Sequence, residues 1–356
     1  MSKFLSERFA SLVPYAPGEQ PQYQKFIKLN TNESPFPPSK KVLDAINSQE
    51  VANLKLYSDP TAKMLVDSIA EFCKVNTSNV FVGNGSDEVL AFINMAFCDS
   101  NKGMACPEIG YGFYPVFCEI FGLAFNPIKL NSDFSIDIKK YENIKENITI
   151  ANPNAHTGLF LTLDKIEILL NQDLERLVII DEAYCDFGGE SATRLLDKYT
   201  NLIIVNTLSK SRQLAGARIG YALASSQIID DLNSMKYSFN PYNLNRLSII
   251  AGTKAMEDIE YFESTRKEVI ANREWTIDKL KSLGFELTNS IANFLLVKKE
   301  GISGEKLYLA LKEKGVLVRY INENLLIDYV RITIGSLSQM QILLEKLEEI
   351  IKENNL

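Results

Sequence analysis

Residues 176–187, RLVIIDEAYCDF, and 201–224, NLIIVNTLSKSRQLAGARIGYALA, decide the fold. Each opens on a short apolar run bounded by polar residues and rich in β-branched side chains. Such a run reads as a strand buried on both faces. Outward from these, NVFVG (79–83), KGMAC (102–106) and NITIAN (147–152) repeat the pattern, with helical stretches such as SDEVLAFINMAF (86–97) between them. This alternation predicts an α/β fold, a mainly parallel sheet flanked by helices in a large domain. From about Ser238 the pattern shifts to long charged helices, then to short strands in FELTNS (285–290), NFLLVKK (293–299), VLVRYI (316–321) and YVRITIG (329–335), which predict a smaller α+β domain. The first 40 residues are rich in Pro, Asn and Tyr and read as an extended arm. The expected organisation is an arm over 1–40, a large domain over 41–240, and a small domain over 241–356 joined by part of the arm.

The chain has 356 residues, 46% hydrophobic and 23% charged, the balance of an ordinary globular protein. Its net charge of -7, with no basic run, argues against a nucleic-acid partner. Five cysteines with no C-x-x-C pair suggest neither a disulfide framework nor a metal site. The start MSKFLSERFASLVPY lacks the apolar core of a signal peptide, and no run approaches the roughly 18 apolar residues of a membrane span. A cytoplasmic protein without a membrane partner is expected.

In α/β sheets ligands bind beyond the carboxyl ends of the strands, so polar residues that directly follow apolar runs are the candidates. GNGSDE (83–88) combines glycines for a tight turn with Ser86 and Asp87 at a helix start, either a phosphate cradle or an ordinary helix cap. Asp181 ends a central strand, where a buried carboxylate needs a cation; a loop cap, a nearby Arg or a protonated pyridine nitrogen each answers that need. Held protonated by a carboxylate, a pyridine ring acts as an electron sink. Lys210 follows the next strand, with Arg218 eight positions on. It either points to water or is a partly desolvated amine suited to Schiff-base formation, with Thr207, Ser209 and Arg218 placed to bind a phosphate. ANPNAHTG (151–158) runs from a strand end into a turn able to present an amide.

Taken in order, Tyr111 after Pro107, NPNAHTG, DEAY (181–184), SKSRQLAGARIGY (209–221) and DYVRITIG (328–335) resemble the fold-type I aminotransferases that use pyridoxal 5'-phosphate. Within them, KLNTNESPFPPS (28–39), LYSDP (56–60), GNGSDE and VRITIGS (330–336) resemble the histidinol-phosphate aminotransferase family. The resemblance implies that Lys210 carries the coenzyme as an imine and moves the substrate proton. It also implies that Asp181 pairs with the ring nitrogen, Tyr184 hydrogen-bonds the ring's phenolic oxygen, and Tyr111 stacks on the ring. Ser86, Asp87, Thr207, Ser209 and Arg218 would hold the phosphate, and Tyr57 would reach it from the other subunit of a homodimer. Arg331 would bind the substrate's acidic group, with Arg319 either a second anion site or a solvated strand residue, and Tyr15 and Asn30 would line the substrate side. The implied reaction exchanges an amino group between a small-molecule donor and an oxo acceptor, L-histidinol phosphate and 2-oxoglutarate being the expected pair. Aromatic-amino-acid transamination and threonine-phosphate decarboxylation, which relatives of this fold carry out with the same Lys, Asp and Arg, are the alternatives.

One turn departs from the family pattern. Where S-P-N-N-P-T-G is usual, this chain places Ala155 and His156 in the second Asn and Pro positions. The contact to the phenolic oxygen then falls to Asn154 if the turn shifts, and His156 is expected to be structural. Two readings outside this family do less well. A DNA-binding regulator of the same fold needs a basic reading module, and a dinucleotide-binding dehydrogenase needs G-x-G-x-x-G, whose third glycine GNGSDE lacks.

Overall fold

The computed structural model describes residues 2–21 and 25–354, so Met1 and residues 22–24 of the expected arm, with 355–356, lie outside it. A two-residue strand of the arm, β1 (Ile27–Lys28), precedes a seven-stranded sheet. That sheet comprises β2 (Val80–Gly83), β3 (Met104–Pro107), β4 (Phe125–Ile128), β5 (Asn147–Ala151), β6 (Val178–Asp181), β7 (Leu202–Thr207) and β8 (Gly220–Leu223). Their order is β2-β8-β7-β6-β5-β3-β4, and β8 alone runs against its neighbours.

Alternation along each strand sends successive side chains to opposite faces. Leu202 and Ile204 join one core cluster with Ile148, Ile150, Val178 and Ile180, while Ile203 and Val205 join a second with Phe81 and Ile179. Because helices cover both faces, the strands read as unbroken apolar runs. The helix Arg246–Glu257 contributes Ile249, Ala251, Ala255 and Met256 to the first cluster, so this core extends past residue 240.

A four-stranded antiparallel sheet follows, from β9 (Phe285–Leu287), β10 (Phe294–Lys299), β12 (Arg319–Tyr320) and β13 (Val330–Thr333), in the order β12-β13-β10-β9. It packs with the helices Ile259–Ser282 and Leu337–Glu353 around Leu295, Val297, Ile332 and Leu343. A short strand β11 (Val316–Leu317) pairs in parallel with β1, which fastens the arm to this second unit. Among the described residues no helix is long and apolar enough to cross a membrane.

Candidate active site

The carboxyl ends of β5, β6 and β7 meet a cavity of about 700 Å3, closed from other sides by the arm and by the second unit. Asp181, the last residue of β6, is 4% exposed. Its Oδ2 accepts from the Tyr114 hydroxyl at 3.0 Å and its Oδ1 from the Ala183 N–H at 3.1 Å. Among the described residues no cation reaches ion-pair distance of this carboxylate. Burial pushes its pKa up to about 6.

Lys210 lies in the loop after β7, and its Nζ donates to the carbonyl of Thr31 in the arm at 3.1 Å. Burial, and then the charge of Arg331, lowers this amine to about 8. Arg218 lowers it too, by less than Arg331. The Tyr184 hydroxyl accepts from Asn32 Nδ2 at 3.1 Å, and its ring meets Phe294 edge-on.

The expected anion cradle is built by close backbone approach. Ser86 begins the 12-residue helix Ser86–Phe97, whose free N–H groups and dipole favour an anion. Gly85 has φ +86°, and a Cβ there would lie 2.5 Å from Arg218 Nη2. A Cβ on Gly220 would fall 2.3 Å from the Ser86 nitrogen, so both glycines fix how near the helix start comes to Arg218 and β8. Asp87 accepts from Arg218 Nη2 at 3.1 Å and from the Tyr111 hydroxyl at 2.8 Å, while Thr207 donates to Ser209 Oγ at 2.9 Å.

On the substrate side, Arg331 reaches the Ala155 carbonyl at 2.8 Å and the Asn30 carbonyl at 3.4 Å, and lies over the Phe294 ring. Arg319 donates to the carbonyls of Ala16 and Pro17. Neither guanidinium meets a carboxylate among the described residues. Tyr15 packs on Tyr111 and Phe113, and the Asn30 amide donates to the Glu19 carbonyl.

Every residue expected at the site lines this cavity except two. The expectation for Asn154 is corrected. Its amide closes the turn, donating to the Ile109 carbonyl at 2.7 Å and accepting from the backbone of His156 and Thr157 at 3.0 Å, and the residue borders a different cavity of about 360 Å3. An Asx turn thus takes the amide that the shifted-turn idea needed. Tyr57 is 81% exposed and stacks on Tyr242 away from this chain's cavity. Sequence reasoning missed Tyr114, Asn32 and the Thr31 carbonyl. The available signals were an aromatic next to Pro115 at a helix start and the Asn-Thr-Asn turn of the arm.

A model of the aminotransferase class I and II family matches residues 24–347. The chain belongs to that family. Histidinol-phosphate aminotransferase from Brachyspira hyodysenteriae is 49% identical over 99% of this chain and 100% of its own length. The Clostridium botulinum (strain Okra) protein of the same name is 43% identical over the same shares. Among solved structures, histidinol-phosphate aminotransferase from Clostridium acetobutylicum superposes with a TM-score of 0.83 at 25% identity, covering 92% of this chain and 99% of its own. The Sinorhizobium meliloti enzyme in complex with pyridoxal-5'-phosphate has the same fold, with a TM-score of 0.83 at 22% identity over 93% of this chain and 92% of its own.

Membership in the aminotransferase family implies pyridoxal 5'-phosphate as coenzyme, and the residues fit it. Asp181 is a buried carboxylate with only neutral partners, the place for a protonated ring nitrogen. Lys210 offers an amine of lowered basicity on the same cavity, and the Ser86–Arg218 cradle suits a phosphate.

Proposed function

We propose that this aminotransferase exchanges an amino group between L-histidinol phosphate and 2-oxoglutarate, giving imidazole-acetol phosphate and L-glutamate, as a step of histidine biosynthesis. The observation that carries this reading is the pair of guanidiniums, Arg331 and Arg319, on the cavity that holds Lys210. A phosphate monoester and a dicarboxylate both suit bidentate guanidinium binding, so one pocket serves both half-reactions. The full-length relatives of that name support the same choice.

Bound here, the coenzyme supplies an electron sink for charge developing on the substrate carbon. Asp181 keeps a proton on the ring nitrogen. Lys210, whose lowered pKa leaves an appreciable neutral fraction near pH 8, takes the proton from the amine-bearing carbon through its Nζ. Because the Tyr184 oxygen accepts from Asn32, its own proton remains for donation into the cavity. Arg331 orients the acidic group of the substrate, and Tyr15, packed on Tyr111, holds the arm over the site and limits water.

The same reading makes the protein a cytoplasmic homodimer with shared sites, in which the partner's Tyr57 completes the phosphate cradle. It also divides each chain into arm, large and small domains, at about residue 40 and, since the helix Arg246–Glu257 packs in the first core, at about residue 257 rather than the expected 240. The exposed Tyr57–Tyr242 stack beside exposed Leu54 and Leu56 supports the dimer, and five free cysteines suit a reducing compartment.

The test is turnover of L-histidinol phosphate with 2-oxoglutarate by the purified holoenzyme. Lys210→Ala should lower it at least ~10²-fold while the protein stays folded. Preference for phenylalanine, or carbon dioxide release from threonine phosphate without an oxo acid, would overturn the assignment.

A further inference from the structure

Arg331 holds a half-buried positive charge with no carboxylate at ion-pair distance among the described residues, so whatever fixes its plane must do so without neutralising it. Two groups of the turn 152–158 meet its Nη1, the Ala155 carbonyl at 2.8 Å and Nδ1 of His156 at 3.4 Å. His156 is the one histidine of the chain and borders the cavity of Lys210. Its own backbone N–H donates to Asn154 Oδ1 at 3.0 Å, so the turn that aims the ring is itself pinned. The other ring nitrogen, Nε2, is buried with no close hydrogen-bond partner among the described residues, and the Gly110 backbone faces the ring as an acceptor that favours its protonated form. The charges that face the ring are Arg331 and Arg319, both positive, and burial together with them lowers its pKa to about 3.

We propose that His156 is a positioning residue for Arg331, a neutral imidazole whose bare Nδ1 accepts from Nη1 and holds the guanidinium plane toward the substrate's acidic group. A guanidinium only donates, so Nδ1 must carry no proton and the ring proton sits on Nε2. A carboxylate at position 156 would pair with Arg331 and compete with the substrate. A proline there would supply neither the ring acceptor nor the N–H that binds Asn154. The inference rests on Arg331 as the substrate's anion site.

With a single histidine, the holoenzyme labelled with 15N-histidine gives one imidazole in its NMR spectrum. The expected pattern is a neutral Nε2–H ring between about pH 6 and 8, with the Nδ1 signal displaced in Arg331→Gln. A proton on Nδ1, or a cationic ring, overturns the proposal whatever the activity. Succinate serves as the dicarboxylate probe. His156→Leu should weaken its binding and raise KM for 2-oxoglutarate by about fivefold, the effect of losing a long bond to a charged donor, with kcat little changed. His156→Asn, which returns an acceptor near the place of Nδ1, should recover most of the loss. A fall in kcat with succinate affinity unchanged would instead mark a merely structural residue and sink the idea. If Arg331→Gln itself leaves succinate affinity unchanged, the anion-site reading fails and takes this proposal with it, a result separate from any His156 outcome.

Discussion

The side-chain amide of Asn32 donates to the hydroxyl of Tyr184 across 3.1 Å, and this bond ties the N-terminal arm to the loop after β6. Asn32 is held from three further sides. Its N–H donates to Thr333 Oγ1 at 2.9 Å, its Oδ1 accepts from the same hydroxyl at 3.1 Å, and its carbonyl accepts from Asn293 Nδ2 at 3.0 Å. The phenol proposed to face the coenzyme is therefore oriented by a residue anchored in the second sheet.

That relationship predicts coupling. Asn32 has φ 57°, so Asn32→Gly keeps the backbone conformation and removes only the side chain. It should lower kcat/KM about tenfold, the worth of one buried hydrogen bond, and Tyr184→Phe should lower it at least as much. The double variant should be no worse than Tyr184→Phe alone, because both changes remove one function. Additive losses in the four-member cycle would show that Asn32 acts elsewhere.

Asp181 predicts an opposition between stability, read without coenzyme, and activity, read with it. Its folded pKa of about 6 lies above the ordinary 3.8, so the proton is bound more tightly in the folded state. The resulting stabilisation is full below about pH 4 and is lost as pH rises through about 6, up to about 3 kcal/mol in all. Asp181→Asn escapes that loss while keeping an oxygen for the Ala183 N–H. Coenzyme-free Asp181→Asn should melt a few degrees above coenzyme-free wild type at pH 8, with the gap closing toward pH 4, while the coenzyme-loaded variant should turn over at least ~10²-fold more slowly than the loaded wild type. Melting curves across that range decide it; a gap independent of pH contradicts the burial argument.

Gly85→Ala places a methyl group 2.5 Å from Arg218 Nη2 at a positive φ. The guanidinium must then leave the cradle, since the backbone on the other side is fixed by the Gly220–Ser86 approach. Pyridoxal 5'-phosphate affinity, read by fluorescence titration, should fall at least about tenfold, the scale of one charge-assisted bond. An affinity within twofold of wild type would mean that Arg218 does not hold the phosphate.

The central strands were legible because both their faces are buried, and each run 79–83, 147–152, 176–181 and 201–207 coincides with a strand. β4 escaped notice because it is an edge strand, with Phe125 exposed and Pro127 interrupting its donors. β1 is two residues long and exists through its pairing with Val316 and Leu317, which no local pattern carries. The site divides similarly. Asp181 and Lys210 stand out as polar residues at the ends of apolar runs. Tyr114 and Asn32 do not, because they act across 67 and 152 residues of chain, on Asp181 and Tyr184. The Asn154 expectation failed at the one turn where local side-chain bonding to the backbone outweighed the alignment of motifs.

The proposed dimer makes a prediction that no single-chain reading shares. If the partner's Tyr57 completes the cradle around Lys210, Lys210→Ala and Tyr57→Phe damage different sites when they sit on different chains. In a mixed dimer, one site lacks both groups and the other has an intact Lys210 from one chain and an intact Tyr57 from the other. Random reassociation of equal amounts should therefore restore about a quarter of wild-type sites, well above the mean of the two parents at limiting coenzyme. Tyr57→Phe keeps the ring that stacks on Tyr242, so dimerisation should survive the change. Activity equal to the parental mean would show that each chain builds its site alone.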